Sequence, residues 1–243
     1  MSAPARLRPH ALGRTVLLLL TLCLALVAAT ACSGAEESDL TPAQALAKAK
    51  RQLDSTSGIQ LELSTPQLPG SVTGLVAATG VGTSAPAFDG EIRVSVAGVG
   101  ATVPVISVDG TTYATLPFTT EFVEIDPAEY GAPDPAQLFG TTDGLSALLT
   151  KAQKPTAGEA VREGSLVFTR YAATLPGSVL QAIVPVAPAG VDFDATFTLD
   201  QDQRMTRATL TGPFYGEGTE SLTYTIVVTD YGITPDITAP PTS

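Results

Sequence analysis

Alternation of apolar and polar side chains recurs along most of this chain, and it restricts the fold more than any other feature. Val191, Phe193, Ala195, Phe197 and Leu199 alternate with Asp192, Asp194, Thr196, Thr198 and Asp200. Ile59, Leu61 and Leu63 alternate with Gln60, Glu62 and Ser64, and Ile92, Val94 and Val96 with Arg93 and Ser95. Leu222, Tyr224, Ile226 and Val228 alternate with threonines and Val227. A period of two sends successive side chains to opposite faces of a strand, so each run has an oily face and a wet one, as in an antiparallel meander. Asp89-Gly90, Asp109-Gly110 and Asp200 to Gln203 read as the turns between runs.

Helical patterning interrupts the strands in three places. Thr41-Pro42-Ala43-Gln44 forms a capping box with proline at the first helical position, and opens a helix to about Leu53. Asp143 to Ala152 places Leu145, Leu148, Leu149 and Ala152 on one stripe. Pro176 to Ile183 is a shorter helix ended by Pro185, while Pro127–Pro135 and Pro185–Gly190 read as loops. No repeat divides the chain, so the expectation is one α+β domain, a large antiparallel sheet with helices on one face.

The N-terminus carries a different message. Arg6, Arg8, His10 and Arg14 precede an apolar run from Val16 to Ala29, the pattern of a secretory signal. Ala29-Thr30-Ala31 then leads into Cys32, which resembles a bacterial lipobox with Ala29 where leucine is usual. Residues 1–31 are therefore expected to be a cleaved signal and Cys32 the site of lipidation. Ordinary cleavage at the same bond, leaving a free thiol, is the alternative. Residues 32–40 form a short acidic tether and 41–243 the folded domain. An anchored chain of this kind sits on the outer face of the plasma membrane.

Cleavage sharpens what the composition excludes. The signal removes three of the 13 Lys and Arg residues, leaving 10 against 24 acidic ones, a net charge of −14. A field of that sign repels phosphate backbones, so nucleic acid is no partner. The mature chain has no histidine, and Cys32 is its sole cysteine. Ser-His and Cys-His catalysis, zinc sites of Cys and His, and an internal disulfide are all excluded. Asp192, Asp194, Asp200 and Asp202 have no calcium-loop spacing. No catalytic residue, metal or cofactor is expected, and the chain does not read as an enzyme. What remains is an apolar inner face of Val, Ala, Ile and Leu, which either fills a core or lines a cavity suited to acyl chains.

Three stretches in the same order resemble one known family. Asp109-Gly110-Thr111-Thr112-Tyr113-Ala114-Thr115-Leu116 is similar to its D-G-x-x-Y-A-x-L segment. Asp134-Pro135-Ala136-Gln137-Leu138 then precedes Asp143-Gly144-Leu145, and Tyr231-Gly232 with Thr238, Pro240 and Pro241 ends the chain. These resemble the LppX/LprAFG family of mycobacterial cell-envelope lipoproteins, LprG-like, although Phe122 and Phe197 stand where tryptophan is expected. The resemblance implies a curved half-barrel sheet with helices over its concave face, enclosing an apolar cavity. It also implies binding of acylated lipids or glycolipids and their carriage from the plasma membrane toward the outer envelope, in some members beside an efflux transporter. On that reading Ile92, Val94, Val96, Val103, Val105, Phe193 and Phe197 form the cavity wall, and Leu145, Leu148 and Leu149 the lid. A non-carrier accessory, binding a transporter or envelope protein through its surface, is the other reading.

Overall fold

The computed structural model describes residues 40–66, 68, 72–96, 98–117, 119–130 and 132–242, apart from the Tyr130 side chain. Residues 1–39, with the expected signal, Cys32 and all but the last residue of the tether, lie outside the described residues. Eleven strands make one sheet: β1 Gly58–Ser64, β2 Gly74–Thr83, β3 Ala87–Val96, β4 Val99–Val108, β5 Thr111–Thr115, β6 Phe122–Ile125, β7 Gln153–Glu163, β8 Leu166–Pro176, β9 Asp192–Asp200, β10 Met205–Gly212 and β11 Leu222–Tyr231. Their order is β6-β5-β4-β3-β2-β1-β11-β10-β9-β8-β7, so the first and last strands meet in the middle and β6 and β7 are the edge strands, with an isolated parallel bridge joining Phe122 of β6 to Thr242. Every neighbour is antiparallel. The sheet is open.

Register turns the alternation into a surface. Tyr171 pairs with Phe197, Phe197 with Ala208, Ala208 with Ile226, Ile226 with Leu63, Leu63 with Ala78, Ala78 with Ile92 and Ile92 with Val103. One apolar row thus crosses eight strands on a single face, because directly paired residues point the same way. The opposite face carries partners such as Asp194, Arg207 and Glu91 in exposed positions.

Among the described residues, three α-helices accompany the sheet: α1 Pro42–Ser55, α2 Leu145–Lys151 and the single turn α3 Gly177–Leu180. The capping box of α1 forms as its spacing predicts, with the Thr41 amide donating to Gln44 Oε1 at 2.9 Å and the Gln44 amide donating to Thr41 Oγ1 at 3.3 Å. Ala45, Leu46, Ala49 and Leu53 of α1 are buried. With Leu145, Leu148 and Leu149 of α2 and Leu180 of α3, they form the principal core against Phe193, Phe197, Leu199, Met205, Ala208 and Ile226. Phe214 bridges Phe193 and Tyr224 at ring separations of 4.9 and 4.8 Å. A polar clamp ties the two longer helices together. Lys50 Nζ donates to Asp54 Oδ2 at 2.6 Å and to the Thr141 carbonyl at 2.7 Å, while Ser146 Oγ donates to Asp54 Oδ1 at 2.6 Å.

Two local expectations change. Asp89-Gly90 is no turn: both residues lie inside β3, and the reversal occurs at residues 84–86. Gly90 pairs with Gly80 of β2, and a Cβ there would stand 2.3 Å from the Thr79 carbonyl oxygen. Its glycine serves a close backbone approach, which a turn signal cannot distinguish from a reversal. The Pro127–Pro135 loop contains one 3-10 turn, Pro127–Tyr130, and meets another, Pro135–Phe139. Asp109-Gly110 is a turn as expected, with φ of 54° and 76°.

Buried Tyr224 and half-buried Tyr231 tie the last strand to its surroundings. Tyr224 Oη donates to the Leu75 carbonyl at 2.7 Å and lies 2.8 Å from the Tyr215 hydroxyl, and Tyr231 Oη donates to the Met205 carbonyl at 2.8 Å. Burial pushes both hydroxyls far above the usual tyrosine range, the Tyr215 hydrogen bond adding to the effect at Tyr224 and the Asp200 carboxylate at Tyr231. An unfolded tyrosine ionises near pH ~10. The stabilisation from these raised values is therefore complete below that pH and is lost as pH rises through the folded-state values. Urea midpoints are expected to fall above about pH 10, less steeply in Tyr224→Phe; a midpoint rising there would contradict this.

Candidate functional site

The seven strand residues expected to line a cavity share one face. Register places Ile92 opposite Val103, Val94 opposite Ala101 and Val96 opposite Val99, with Phe197 in the same cross-strand row. Their surroundings differ. Phe193, Phe197, Leu145, Leu148 and Leu149 are 0–4% exposed within the principal core under the helices. Ile92, Val103 and Val105 belong to a separate cluster with Phe88, Ala114, Ile125 and Phe139. Val94 is half-buried and belongs to neither cluster, and Val96 is 53% exposed at the β3–β4 turn.

The difference follows from what covers each half of the sheet. α1 and α2 pack on each other and over the strands from β1 to β8 in the sheet order. The 3-10 turn Pro135–Phe139 packs against β2, β3 and β4. It lays Phe139 over the sheet, stacked on Phe88 at 6.0 Å and 22°. Gly82 makes that possible, because a Cβ there would stand 2.2 Å from the Phe139 ring. One aromatic pair covers far less than two helices do. Ile92, Val94, Ala101, Val103, Val123 and Ile125 are left half-buried on the inner face.

A cleft of about 660 Å³ opens beside this uncovered half. One wall is Glu124 to Ala128 with Ala132, Pro133, Asp134 and Gln137, and the other is Gln181, Ala182 and Pro185 beyond α3. The volume lies within the roughly 300–1,000 Å³ of small-molecule sites. None of the ten expected cavity residues lines it; Ile125 belongs both to the cleft and to the Phe88 cluster. A second void, of about 20 Å³, lies between Leu53, Ile59, Phe139 and Leu145 and is no larger than a water site. Ile125, Val123 and Phe139 escaped the sequence reading because Phe122–Ile125 is too short for its alternation to stand out and Phe139 follows a proline-rich run.

Two of the recognised motifs meet at this cleft. Asp134 caps the Pro135–Phe139 turn by accepting from the Ala136 amide at 2.9 Å, and it accepts hydrogen bonds from Ser107 and Thr112. Ser107 and Thr112 are buried, so removing the carboxylate leaves a capless turn and a buried hydroxyl pair short of an acceptor. Asp134→Ala is expected to cost about 2–4 kcal/mol, the sum of a cap and an unsatisfied buried group. Chemical denaturation checks this: a loss below about 0.5 kcal/mol would contradict the bridging role. Among the described residues no group of three or more His, Cys, Asp or Glu side chains converges to hold a metal ion. No described helix is long and apolar enough to cross a membrane.

Residues 41–235 match the model of the LppX_LprAFG lipoprotein family. The chain belongs to that family. Among LppX_LprAFG structures it is similar to LprF from Mycobacterium bovis, with a TM-score of 0.67 at 16% identity, over 82% of this chain and 96% of that one. It is also similar to the Mycobacterium tuberculosis lipoprotein LppX, with a TM-score of 0.57 at 13% identity, over 83% of this chain and all of that one. At such identities the likeness is one of fold: the open antiparallel sheet with few helices is the LppX_LprAFG architecture. No curated protein matches.

Proposed function

We propose that this chain is an exported, lipid-anchored carrier of acylated lipids or glycolipids. The observation that carries the reading is the apolar row across the inner face. It runs without a polar interruption from the helix-covered half to Ile92 and Val103, where cover is thin, beside a cleft of about 660 Å³. Uncovered apolar surface of this extent, on the inner rather than the outer face, suits an apolar occupant better than water.

The energetics explain why a carrier is needed. Exposing a ~16-carbon acyl chain costs on the order of 10 kcal/mol at about 0.8 kcal/mol per methylene. Against Ile92, Val94, Val103 and Ile125 the chain exchanges one apolar contact for another, so loading from the bilayer and release are both near balance. The mixed lining of the cleft, with Glu124, Asp126, Gln137 and Gln181, suits a polar headgroup at its mouth. Acylation of Cys32 keeps the carrier at the outer face of the plasma membrane, from which it moves lipid toward the outer envelope, alone or beside an efflux transporter.

Transfer between vesicles tests the reading. The protein is expected to speed movement of a fluorescent diacylglycerol from donor to acceptor vesicles by about tenfold or more, an effect equal to lowering the barrier by 1.4 kcal/mol. Transfer no faster than in buffer would favour the accessory role. Cys32→Ser is expected to shift the chain from the membrane to the soluble fraction after cell breakage. Retention in the membrane fraction would mean that something other than an acyl anchor holds it.

A further inference from the structure

We infer that the cleft beside the uncovered half of the sheet selects its headgroup by charge, taking an uncharged, hydroxyl-bearing one and rejecting one that carries phosphate. This rests on the carrier reading above and adds which lipids are excluded. Both walls of the cleft come from segments without a basic side chain. Residues 94–150, which supply the first wall, contain seven Asp and Glu residues and no Lys, Arg or His. Residues 171–191, which supply the second, contain no charged side chain. Glu124, Asp126 and Asp134 line the cleft.

No cation from elsewhere offsets these acids. Among the described residues, ion pairs join Lys50 to Asp54, Lys151 to Asp143, and Arg204 to Asp200 and Asp202. None of these residues lines the cleft. Two of the cleft carboxylates are also held in place. Asp126 accepts from the Ala128 amide and Asp134 from the Ala136 amide, both at 2.9 Å and both through Oδ1. A phosphate entering the cleft therefore meets fixed like charge and no counter-ion, the arrangement by which sites turn wrong partners away.

The same lining fits a neutral hydroxyl. Carboxylates accept from hydroxyl donors in charge-assisted bonds. Gln137 and Gln181 bring amide N–H groups to the same space, and Gln181 is held on the second wall by donating through Nε2 to the Ala187 carbonyl at 2.9 Å. A hydroxyl both donates and accepts, so it satisfies carboxylate and amide together. An ionised phosphate diester can only accept, and an ammonium can only donate. Ile125 lies in the cleft and also in the apolar cluster with Ile92 and Val103, so a headgroup placed there leaves its tail on the inner face.

Vesicle transfer of two lipids with the same tails tests the inference. Monogalactosyl diacylglycerol and phosphatidylglycerol, each labelled on an acyl chain, are carried as traces in phosphatidylcholine donors, so that both donors have nearly the same surface charge. At about 0.01 M salt the galactolipid is expected to move at least about fivefold faster than phosphatidylglycerol, after subtraction of spontaneous transfer. Glu124 and Asp126 are exposed, so their field is screened by salt, and the ratio is expected to fall to about twofold or less near 1 M, where the Debye length is about 3 Å. Glu124→Gln combined with Asp126→Asn is expected to lower the low-salt ratio likewise, the asparagine keeping an oxygen for the Ala128 amide. Equal transfer of both lipids at low salt, or a ratio that salt leaves unchanged, would overturn the charge filter and leave the carrier. Transfer of neither lipid above the spontaneous rate would remove the carrier reading and the filter with it.

Discussion

Phe197→Ala is expected to destabilise the protein by about 3–5 kcal/mol, a large share of the 5–15 kcal/mol that holds a domain together. Phe197 is fully buried in the helix-covered part of the cross-strand row, between Tyr171 and Ala208, in the cluster that contains Phe193 and Leu199. Helices and sheet close over it on both sides, so a truncated side chain leaves a hole that neighbours held in ladders cannot collapse to fill. Phe193→Ala is expected to behave alike, since Phe193 lies over Gly212, where a Cβ would stand 2.2 Å from its ring. Denaturant midpoints at unchanged slope give the loss. A cost under about 1 kcal/mol at Phe197 would mean that the space beneath the helices is loosely filled.

The reverse outcome is expected on the other half of the sheet. Ile92→Trp adds bulk to a half-buried site beside Val103 and Phe139, where open space takes the indole without displacing a packed neighbour. Stability is expected to stay within about 1 kcal/mol of the parent. Bound acyl lipid is expected to fall at least about tenfold, since the ring occupies the surface against which a tail would lie. Val94→Trp serves as a second variant from the same face. Equal lipid recovery from both variants and the parent, with folding intact, would remove this surface from the binding site. The pairing of these results is informative: one residue of the row is expected to carry stability and another to contact the proposed ligand.

The reason that the row was legible in part lies in how each signal arises. Alternation depends only on chemistry two residues apart, so spacing puts Ile92 and Val94 on one face of their strand and Phe193 and Phe197 on one face of theirs; grouping the two faces, with Val103, came from the resemblance and not from the period. The capping box at Thr41 and the turn at Asp109-Gly110 are equally local, and both form as expected. What separates Phe197 from Ile92 is cover, and cover depends on contacts between distant segments. α1 and α2 meet through Lys50 and Asp54 on one side and Ser146 on the other, 96 and 92 residues away in the chain. No period records which strands that pair of helices lies over. The same holds for Gly90, whose role depends on Gly80 of the neighbouring strand. The resemblance carried by the motifs reached further, because Thr112 and Asp134 belong to separate motifs and meet at one hydrogen-bonded corner.

The direct test of a lipid held on the uncovered inner face is native mass spectrometry of a form that begins after Cys32, exported from its own cells without the anchor and purified without detergent. The carrier account predicts peaks displaced from the bare chain by the mass of one diacyl lipid, and their loss in Ile92→Trp. A single peak at the bare mass, from protein never exposed to detergent or solvent, would contradict it.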